Sequence, residues 1–326
     1  MHLGRRPSLL QCALVVAAWG GLAAGKASAA GRTMAVTFDD LPGPPAGLLS
    51  NSVSGLTENT RKLVATFAKH RIPVVGFVNE GKLVVPGETP EDLAARTSIL
   101  KMWVDAGLEL GNHTYSHQSL NGTPLDAFEA DLLRGEPVTR RLLAENGRKL
   151  RYFRHPFLHV GLDLDKRHAF EAFLAERGYS VAPVTIDNDD YVYAAIYAAA
   201  LRGGDRARAD AIGADYLRYM DTVFSFYEGL SRRLTGREIP QILLVHANTL
   251  NADCFDGLAA AIEARGYAFR SLEDALEDEA YRLPDTYVGN WGISWLLHWE
   301  QTREGKRSPS PDPPDWVTRA FEALPH

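Results

Sequence analysis

Residues 33–40 are Thr-Met-Ala-Val-Thr-Phe-Asp-Asp, a short run of apolar and β-branched side chains that ends in two carboxylates. Runs of this length and composition favour β-strands. In an α/β barrel, polar residues that directly follow a strand lie at the face where active sites are found. We therefore predict a buried strand over residues 33–38, with Asp39 and Asp40 at the edge of a site.

Similar runs recur along the chain and alternate with longer amphipathic stretches, which is the pattern of β-α units around a parallel sheet. The predicted strands are 33–38, 73–78, 108–112, 150–153, 180–186, 241–245 and 267–270. The predicted helices are 56–70, 89–106, 124–146, 163–177 and 252–265. Seven such units without a Gly-rich nucleotide fingerprint favour a (β/α) barrel over a dinucleotide-binding sheet.

Residues 1–29 have the pattern of a signal peptide. Arg5 and Arg6 precede an apolar run over residues 9–24, and small residues follow it. A membrane anchor is the alternative, but the run is short against the roughly 20 apolar residues that a span needs. We expect export to the periplasm or the medium, with no stable membrane span after cleavage.

Three regions are expected after the signal peptide. Residues 30–304 are predicted to form the catalytic domain, with a helical insertion over about 192–238, and residues 305–326 a Pro-rich linker and a short helix over 316–324. Three tryptophans recur at helical spacing ahead of the linker, at positions 291, 295 and 299. That spacing predicts one shared helix face, which is either core or a platform for stacking sugars.

Charge and cysteine content limit the possible functions. The formal net charge is −6, and it becomes −9 once residues 1–29 and their three basic side chains are removed. Such a surface argues against nucleic acid as a partner and suits a neutral or cationic glycan. Only Cys254 remains after processing, so no intramolecular disulfide can form and the core must supply the stability.

Polar residues cluster after the ends of five predicted strands. They are Asp39-Asp40, His113, Arg154-His155, the run 187–190, and His246. Because the carboxyl ends of parallel barrel strands open on one face, these residues are predicted to share a site.

His113 and His117 are four residues apart, so both rings can reach one cation. With a carboxylate they supply three ligands and leave positions open, which is typical of hydrolytic metal sites. Taken singly, the two aspartates could cap a turn, and the histidine spacing could arise by chance. Two histidines and a carboxylate also suit a non-haem iron oxygenase, so ligand type alone leaves the metal open.

Together these segments resemble the five motifs of the NodB-like polysaccharide deacetylases, carbohydrate esterase family 4. The segments are Thr37-Phe38-Asp39-Asp40, His113-Thr114-Tyr115-Ser116-His117, Phe153-Arg154-His155-Pro156-Phe157, Asp187-Asn188-Asp189-Asp190-Tyr191 and Leu244-Val245-His246. The resemblance implies a distorted seven-stranded (β/α) barrel. It also implies a divalent metal, usually zinc, with cobalt, nickel or manganese as alternatives.

The resemblance also implies a role for each matching residue. Asp39 would be the general base, with Arg154 orienting it, and His246 would be the general acid, with Asp190 on its other ring nitrogen. The implied metal ligands are Asp40, His113 and His117. The backbone N–H of Phe157 would bind the oxyanion, and Tyr191 and Leu244 would contact substrate.

Two motifs depart from the family pattern. Pro156-Phe157-Leu158 stands where the family usually has Pro-Tyr-Gly, so the loop beside the oxyanion is expected to follow a different path. Tyr191 stands where Trp is usual, so substrate contacts are expected to differ. His155 is expected at the solvated rim, and His159, which matches no motif, is expected to be an ordinary surface or core residue.

The function that follows is N-deacetylation of N-acetylglucosamine units in peptidoglycan or chitin-like oligomers. O-deacetylation of xylan or another acetylated polysaccharide is the nearest alternative. A non-catalytic glycan-binding protein would be expected to lack the base or the acid, yet Asp39 and His246 are both present. An iron oxygenase would need a closely spaced His-x-Asp pair and a sheet-only fold, and neither is suggested.

Overall fold

A parallel β-sheet, curled into a distorted barrel, forms the centre of the computed structural model, which describes residues 31–44, 52–85, 87 and 89–325. The strands within this part of the chain are β1 (Thr33–Leu41), β2 (Val74–Val78), β3 (Glu109–Asn112), β4 (Tyr152–Phe153), β5 (Ser180–Val181), β6 (Gln241–His246) and β7 (Ala268–Phe269). All of their pairings are parallel. The predicted fold class is confirmed, whereas the predicted signal peptide, residues 1–29, lies outside the described residues.

The order of the strands is β5-β4-β3-β2-β1-β6, with β7 also paired to β1. Beyond β5, Ile186 pairs with Leu243 of β6, so the chain bridges the two edges of the sheet and curls it into a distorted barrel. The predicted strand 180–186 is therefore interrupted, with one end on β4 and the other on β6. Pro183 accounts for the interruption, because proline has no N–H to donate to the hydrogen-bond ladder of a sheet.

Helices cover the outside of the sheet in the described part of the chain. They are α1 (Val53–His70), α2 (Pro90–Asp105), α3 (Leu125–Arg134), α4 (Pro137–Ala144), α5 (Leu164–Glu176), α6 (Asp190–Arg202), α7 (Arg206–Thr235), α8 (Thr249–Ala264), α9 (Leu272–Leu276), α10 (Trp295–Glu304) and α11 (Asp315–Glu322). Serine, threonine, asparagine or aspartate side chains cap many of them, which satisfies N–H groups that a helix leaves free.

The helix predicted over 124–146 is in fact two helices, α3 and α4. The break comes just before Pro137, because a proline disfavours the helical conformation in the residue that precedes it. The new helix start is capped from outside. The buried Glu80 carboxylate accepts hydrogen bonds from the N–H groups of Val138 and Thr139 at 3.1 and 2.7 Å.

The helical insertion predicted over about 192–238 consists of α6 and the 30-residue α7. The two helices are separated at Gly203 and Gly204, and Asp205 caps α7 by accepting from the N–H of Arg208 at 2.9 Å. Most of α6 is buried, and both helices pack on each other and on α8. They therefore form an additional helical layer of the core.

Four aromatic rings join β1 to the helices on one side of the sheet. Phe38 contacts Phe67, Trp103 and Phe255 at centroid distances of 5.1, 5.7 and 5.1 Å in edge-on geometry. Such pairs contribute about 0.5–1.5 kcal/mol each beyond the area that they bury. This cluster anchors α1, α2 and α8 to the strand that carries the two aspartates.

The three tryptophans do not share one helix face. Ser294 caps α10, which begins at Trp295, so Trp291 lies before the helix and is 67% exposed. Trp295 and Trp299 are buried in the core. The prediction of a shared face was wrong, because the N-cap starts the helix after the first tryptophan.

The tail lies on the body of the protein. Between α10 and α11, the Ser308 N–H donates to Glu300 at 2.7 Å, and the Tyr219 hydroxyl donates to the carbonyl of Pro311 at 3.2 Å. Val317 of α11 is fully buried, and α11 packs against α6. Among the described residues, no helix combines the length and the apolar character needed to cross a bilayer.

Candidate active site

The carboxyl ends of the strands open onto a pocket of about 570 Å³, within the range of roughly 300–1,000 Å³ that is usual for small-molecule sites. All five segments singled out in the sequence contribute to it. The predicted site residues that line it are Asp39, Asp40, His113, His117, Phe157, Tyr191, Leu244 and His246. Arg154 and Asp190 are fully buried behind this lining.

The two aspartates both line the pocket because β1 is irregular at its end. In a regular strand, successive side chains point to opposite faces of the sheet. Here the register between β1 and β2 shifts between Phe38 and Leu41, and Asp40 has a φ of 74°. A bulge of this kind re-aims side chains near active sites. It brings Asp39 and Asp40 into the same pocket.

Three side chains are placed to hold one metal ion, namely those of Asp40, His113 and His117. One ligand atom from each lies within 4.8 Å of the others. Oδ1 of Asp40 is 4.0 Å from Nε2 of His113 and 3.5 Å from Nε2 of His117. A carboxylate and two imidazoles suit a divalent cation and leave at least one position open.

The protonation of the two histidines fits this use. Nδ1 of His113 donates to the backbone carbonyl of Arg154 at 2.8 Å, so Nε2 of the neutral ring is free to bind a cation. Burial lowers the pKa of His113 well below its ordinary value and also lowers the pKa of His117. Both rings are therefore neutral near pH 7, as metal binding requires.

Hydrogen bonds fix the loop that carries the two histidines. Oδ1 of Asn112 accepts from the N–H of Thr114 at 2.7 Å, and the Asp131 carboxylate accepts from both the N–H and the hydroxyl of Ser116. Thr114 and His117 have φ values of 62° and 56°. Residues other than glycine rarely have a positive φ. Such backbone strain persists where the surrounding structure holds it in place, often at functional sites.

Asp39 is placed to accept a proton. Its Oδ2 lies 3.4 Å from Nη1 of Arg154, which also donates from Nη2 to the hydroxyl of Thr37 at 2.9 Å. Its Oδ1 is buried and has no hydrogen-bond partner among the described residues. Burial raises the pKa of Asp39 to about 6, although Arg154 and His246 oppose the rise. The carboxylate thus combines a free oxygen with raised basicity.

His246 lies beside Asp39 and is placed to give a proton. The two residues are register partners on β1 and β6. Nδ1 of His246 lies 2.6 Å from Oδ1 of Asp190, and the backbone N–H of His246 donates to Oδ2 of Asp190 at 2.8 Å. Burial disfavours the imidazolium, but Asp190 and Asp40 outweigh it and raise the pKa of His246 to about 10. The ring is therefore protonated at neutral pH.

Two asparagines that sequence reasoning missed hold this pair. The Asn251 amide donates to Asp190 at 2.6 Å and to the carbonyl of His246 at 2.9 Å, and the Asn248 amide lies 3.3 Å from Asp190. The hydroxyl of Tyr216 on α7 donates to Asn251 at 3.0 Å. Their only sequence signal is their position shortly after the sixth strand.

The turn Pro156–Leu158 forms one wall of the pocket. Phe157 and Leu158 have φ values of 57° and 54°, and the ring of Phe157 packs edge-on against His117 with centroids 4.4 Å apart. A Cβ at Gly292 would lie 1.6 Å from the carbonyl oxygen of Phe157, so only glycine fits there. The oxyanion role of the Phe157 N–H stays a prediction.

Two histidines differ from expectation. His155 is only 2% exposed, since the rings of Phe153 and Phe170 pack against it, so its placement at a solvated rim was wrong. His159 was expected to be an ordinary surface or core residue, yet it lines the pocket, with Nδ1 2.7 Å from the hydroxyl of Ser119.

Further carboxyl groups make the pocket acidic. Asp187 and Asp189 line it together with Asp39 and Asp40. Burial and then the neighbouring Asp189 raise the pKa of Asp187 to about 7, and burial also raises the pKa of Asp189. Asp187 is therefore only partly ionised at pH 7, and the carboxylates that are ionised make the lining better suited to neutral or cationic ligands than to anionic ones.

Exposed aromatic rings border the same pocket. Phe157 and Tyr191 line it and are 54% and 50% exposed, and Trp291 directly precedes the lining residue Gly292. Aromatic rings that are exposed around a cleft offer flat apolar faces against which a ligand can pack.

A protein-family model described as polysaccharide deacetylase matches residues 26–169. No curated protein matches the chain. Similar solved structures include a family 4 carbohydrate esterase from Streptomyces lividans in complex with acetate, at 18% identity, 75% coverage of this chain, 95% of that chain and a TM-score of 0.45. Peptidoglycan deacetylase PdaC from Bacillus subtilis is 16% identical, with coverages of 78% and 94% and a TM-score of 0.46. Wild-type BA3943, a CE4 family pseudoenzyme from Bacillus anthracis, is 18% identical, with coverages of 76% and 66% and a TM-score of 0.46.

Proposed function

We propose that the protein is a metal-dependent hydrolase of the polysaccharide deacetylase family, whose model matches residues 26–169, and that it removes N-acetyl groups from glycans containing N-acetylglucosamine. Peptidoglycan and chitin-like oligomers are the proposed substrates. One observation carries the proposal: a single pocket joins the Asp40–His113–His117 triad to a buried carboxylate, Asp39, and a protonated imidazole, His246. Metal-assisted hydrolysis of an amide uses a cation, a proton acceptor and a proton donor around one carbonyl.

Zinc is the proposed metal, with cobalt, nickel or manganese as cations that the same ligand types accept. Asp40, His113 and His117 would hold it. When bound, such a cation supplies Lewis-acid chemistry that polarises the acetyl carbonyl and acidifies water. The neutral histidines and the low pKa of the Asp40 carboxyl, which Lys82 maintains against burial, fit this use.

Asp39 would take the proton of the attacking water on Oδ1, the oxygen that has no partner among the described residues. Arg154 would hold the other oxygen and keep the carboxylate oriented. His246 would then give the proton on Nε2 to the nitrogen of the leaving amine as the C–N bond breaks. Water and the N-acetyl group thus become acetic acid and an amine, which are present as acetate and an ammonium group near neutral pH, while Asp39 gains one proton and His246 loses one.

The surroundings of the pocket support a glycan as the substrate. Sugar rings have apolar faces, which the exposed rings of Phe157 and Tyr191 can cover. The acidic lining also favours the cationic amine that N-deacetylation produces.

Acetate release tests this proposal. Purified enzyme, stripped of metal and then reloaded with zinc, is incubated with chitooligosaccharides, peptidoglycan and acetylxylan, and acetate is measured by a coupled assay. We expect acetate from the first two substrates with the zinc-loaded enzyme, and little from the Asp39→Asn variant. Release from acetylxylan alone would make the protein an O-acetyl esterase. Binding to glycan without any acetate would make it a non-catalytic binding protein.

Export is part of the proposal, because residues 1–29 have the pattern of a signal peptide. The protein would then act in the periplasm or the medium, where cell-wall glycans are accessible. Fractionation of cells that express the full chain checks this: the protein is expected outside the cytoplasm with its N-terminal segment removed, and full-length protein confined to the cytoplasm would contradict it.

A further inference from the structure

Lys82 places a positive charge inside the candidate metal site. Its ammonium Nζ lies 2.7 Å from Oδ1 of Asp40 and 3.4 Å from the backbone carbonyl oxygen of the same residue. Oδ1 is also the Asp40 oxygen that lies nearest to Nε2 of His113 and of His117. The oxygen that faces both histidines is therefore already paired with a cation from the chain.

The position of this lysine is set by the fold. Lys82 belongs to a short 3₁₀ turn, Glu80–Leu83, that follows β2. The turn is tied at its start, since the N–H of Gly81 donates to the carbonyl of Tyr115 at 2.9 Å and the Glu80 carboxylate caps α4. The Lys82 side chain is only 18% exposed. It is thus not a surface lysine that reaches the site by chance.

We propose that Lys82 is a built-in counter-ion that competes with a divalent cation for Asp40. Two cations next to one carboxylate oxygen repel each other, and the repulsion is strong where little water screens it. A metal ion can therefore bind Oδ1 in one of two ways: the ammonium group moves away, or it stays and the repulsion between the two cations weakens binding. Lys82 keeps the empty site neutralised and lowers its affinity for metal, so that the site fills only at a higher concentration of free metal. This inference rests on the assignment of Asp40, His113 and His117 as metal ligands.

Metal affinity, rather than activity, tests the inference. The full protein is stripped of metal, and zinc binding is measured at one fixed pH by competition with a chromophoric chelator. We expect Lys82→Met and Lys82→Gln to bind zinc about 10- to 100-fold more tightly than the wild type, the range in which neighbours of metal ligands alter affinity. Lys82→Arg keeps the charge and should bind much as the wild type does.

Lys101→Met is the matched control for loss of one positive charge, because Lys101 is exposed and paired with Asp105 on α2. It should leave the affinity unchanged. If zinc binds to the wild type and is lost in His117→Ala, yet binds Lys82→Met and Lys82→Gln no more tightly, the role of Lys82 is disproved while the metal site stands. If zinc binds none of the proteins, the metal site and this inference both fall.

Discussion

Asp39 and Asp40 are neighbours in the chain, yet the structure surrounds them differently. Asp39 has Arg154 on one oxygen and no partner on the other among the described residues, and burial raises its pKa to about 6. Asp40 faces two histidines and Lys82, which together outweigh burial and hold its pKa well below the ordinary value. Two carboxylates whose pKa values are pushed apart are suited to different roles, here a base and a ligand.

Replacing Asp39 with asparagine separates these roles. Asp39→Asn keeps the shape of the side chain but cannot accept the proton, so kcat should fall by on the order of 10²-fold or more, since a general base contributes about 10² to 10⁴. Zinc content, measured on the same sample, should stay at the wild-type level. Asp40→Asn is the matched control and should lose metal. The opposite pattern would show that the two roles are exchanged.

Loss of His246 should affect amides more than activated esters. An amine leaves poorly unless it is protonated, whereas the phenolate of an aryl acetate departs without help. We expect His246→Ala to lower N-deacetylation by about 10² to 10⁴, and aryl acetate hydrolysis much less. The measurement is kcat/KM on both substrates at constant metal content. Equal losses would mean that His246 acts through binding or structure.

The alkaline limb of the pH profile should report on Asp190. Its carboxylate favours the charged imidazolium of His246, whose pKa it helps to raise to about 10. In Asp190→Asn this support is gone, so the pKa of His246 falls and the acid loses its proton at a lower pH. The alkaline limb of kcat/KM should therefore move to lower pH than in the wild type. A limb that stays in place would exclude His246 as the group responsible for it.

The sequence predicted the site residues that directly follow a strand, and others through their spacing or through motif resemblance. Asp39, His113 and His246 could be placed together because parallel strands share one carboxyl face. Lys82 and Asn251 could not, since each reaches the site from a turn or helix whose direction depends on tertiary packing.

At the scale of elements, the turn Pro156–Leu158 depends on the segment before α10. Gly292 approaches the carbonyl of Phe157 so closely that a methyl group there would lie 1.6 Å from the oxygen. Gly292→Ala must therefore displace the turn. We expect it to lower stability by about 1–3 kcal/mol, the usual cost of overpacking, and to raise KM, because Phe157 lines the pocket. Thermal unfolding and steady-state kinetics check both effects.

Gly229→Ala is the control for this substitution. Gly229 lies within α7, and a methyl group added there meets no atom within 4 Å. Alanine should leave the kinetics unchanged and add up to about 1 kcal/mol of stability through its higher helix propensity. If the Gly292 variant behaved like this control, the turn would be free to move and the tight approach would have no consequence.

Sequence pattern gave the elements with limited precision, for physical reasons that can be named. The strand 180–186 and the helix 124–146 were each predicted whole, and a proline interrupts both, at Pro183 and Pro137. The start of α10 depends on the cap supplied by Ser294, which left Trp291 outside the helix. Hydrophobic periodicity reports the face that a segment buries, whereas caps and prolines set where it begins and ends.

On the scale of the whole molecule, the additional helices are part of the support for the site. Helix α6 begins at Asp190, the partner of His246, and is buried between α7 and α8. The tail helix α11 closes over α6, with Phe321 6.1 Å from the ring of Tyr191. The composition predicted a large core without disulfides. It did not predict that residues 192–238 and the tail would pack together near His246 and Asp190.

Metal removal and restoration tests the central claim most directly. The full protein is treated with a chelator, its metal content is verified, and acetate release from a chitooligosaccharide is followed before and after zinc or cobalt is added. We predict that hydrolysis disappears in the stripped protein and returns with metal in the wild type, but not in His117→Ala, because the reaction needs a cation at Asp40, His113 and His117. Acetate release that continues unchanged after verified removal of the metal would contradict the account.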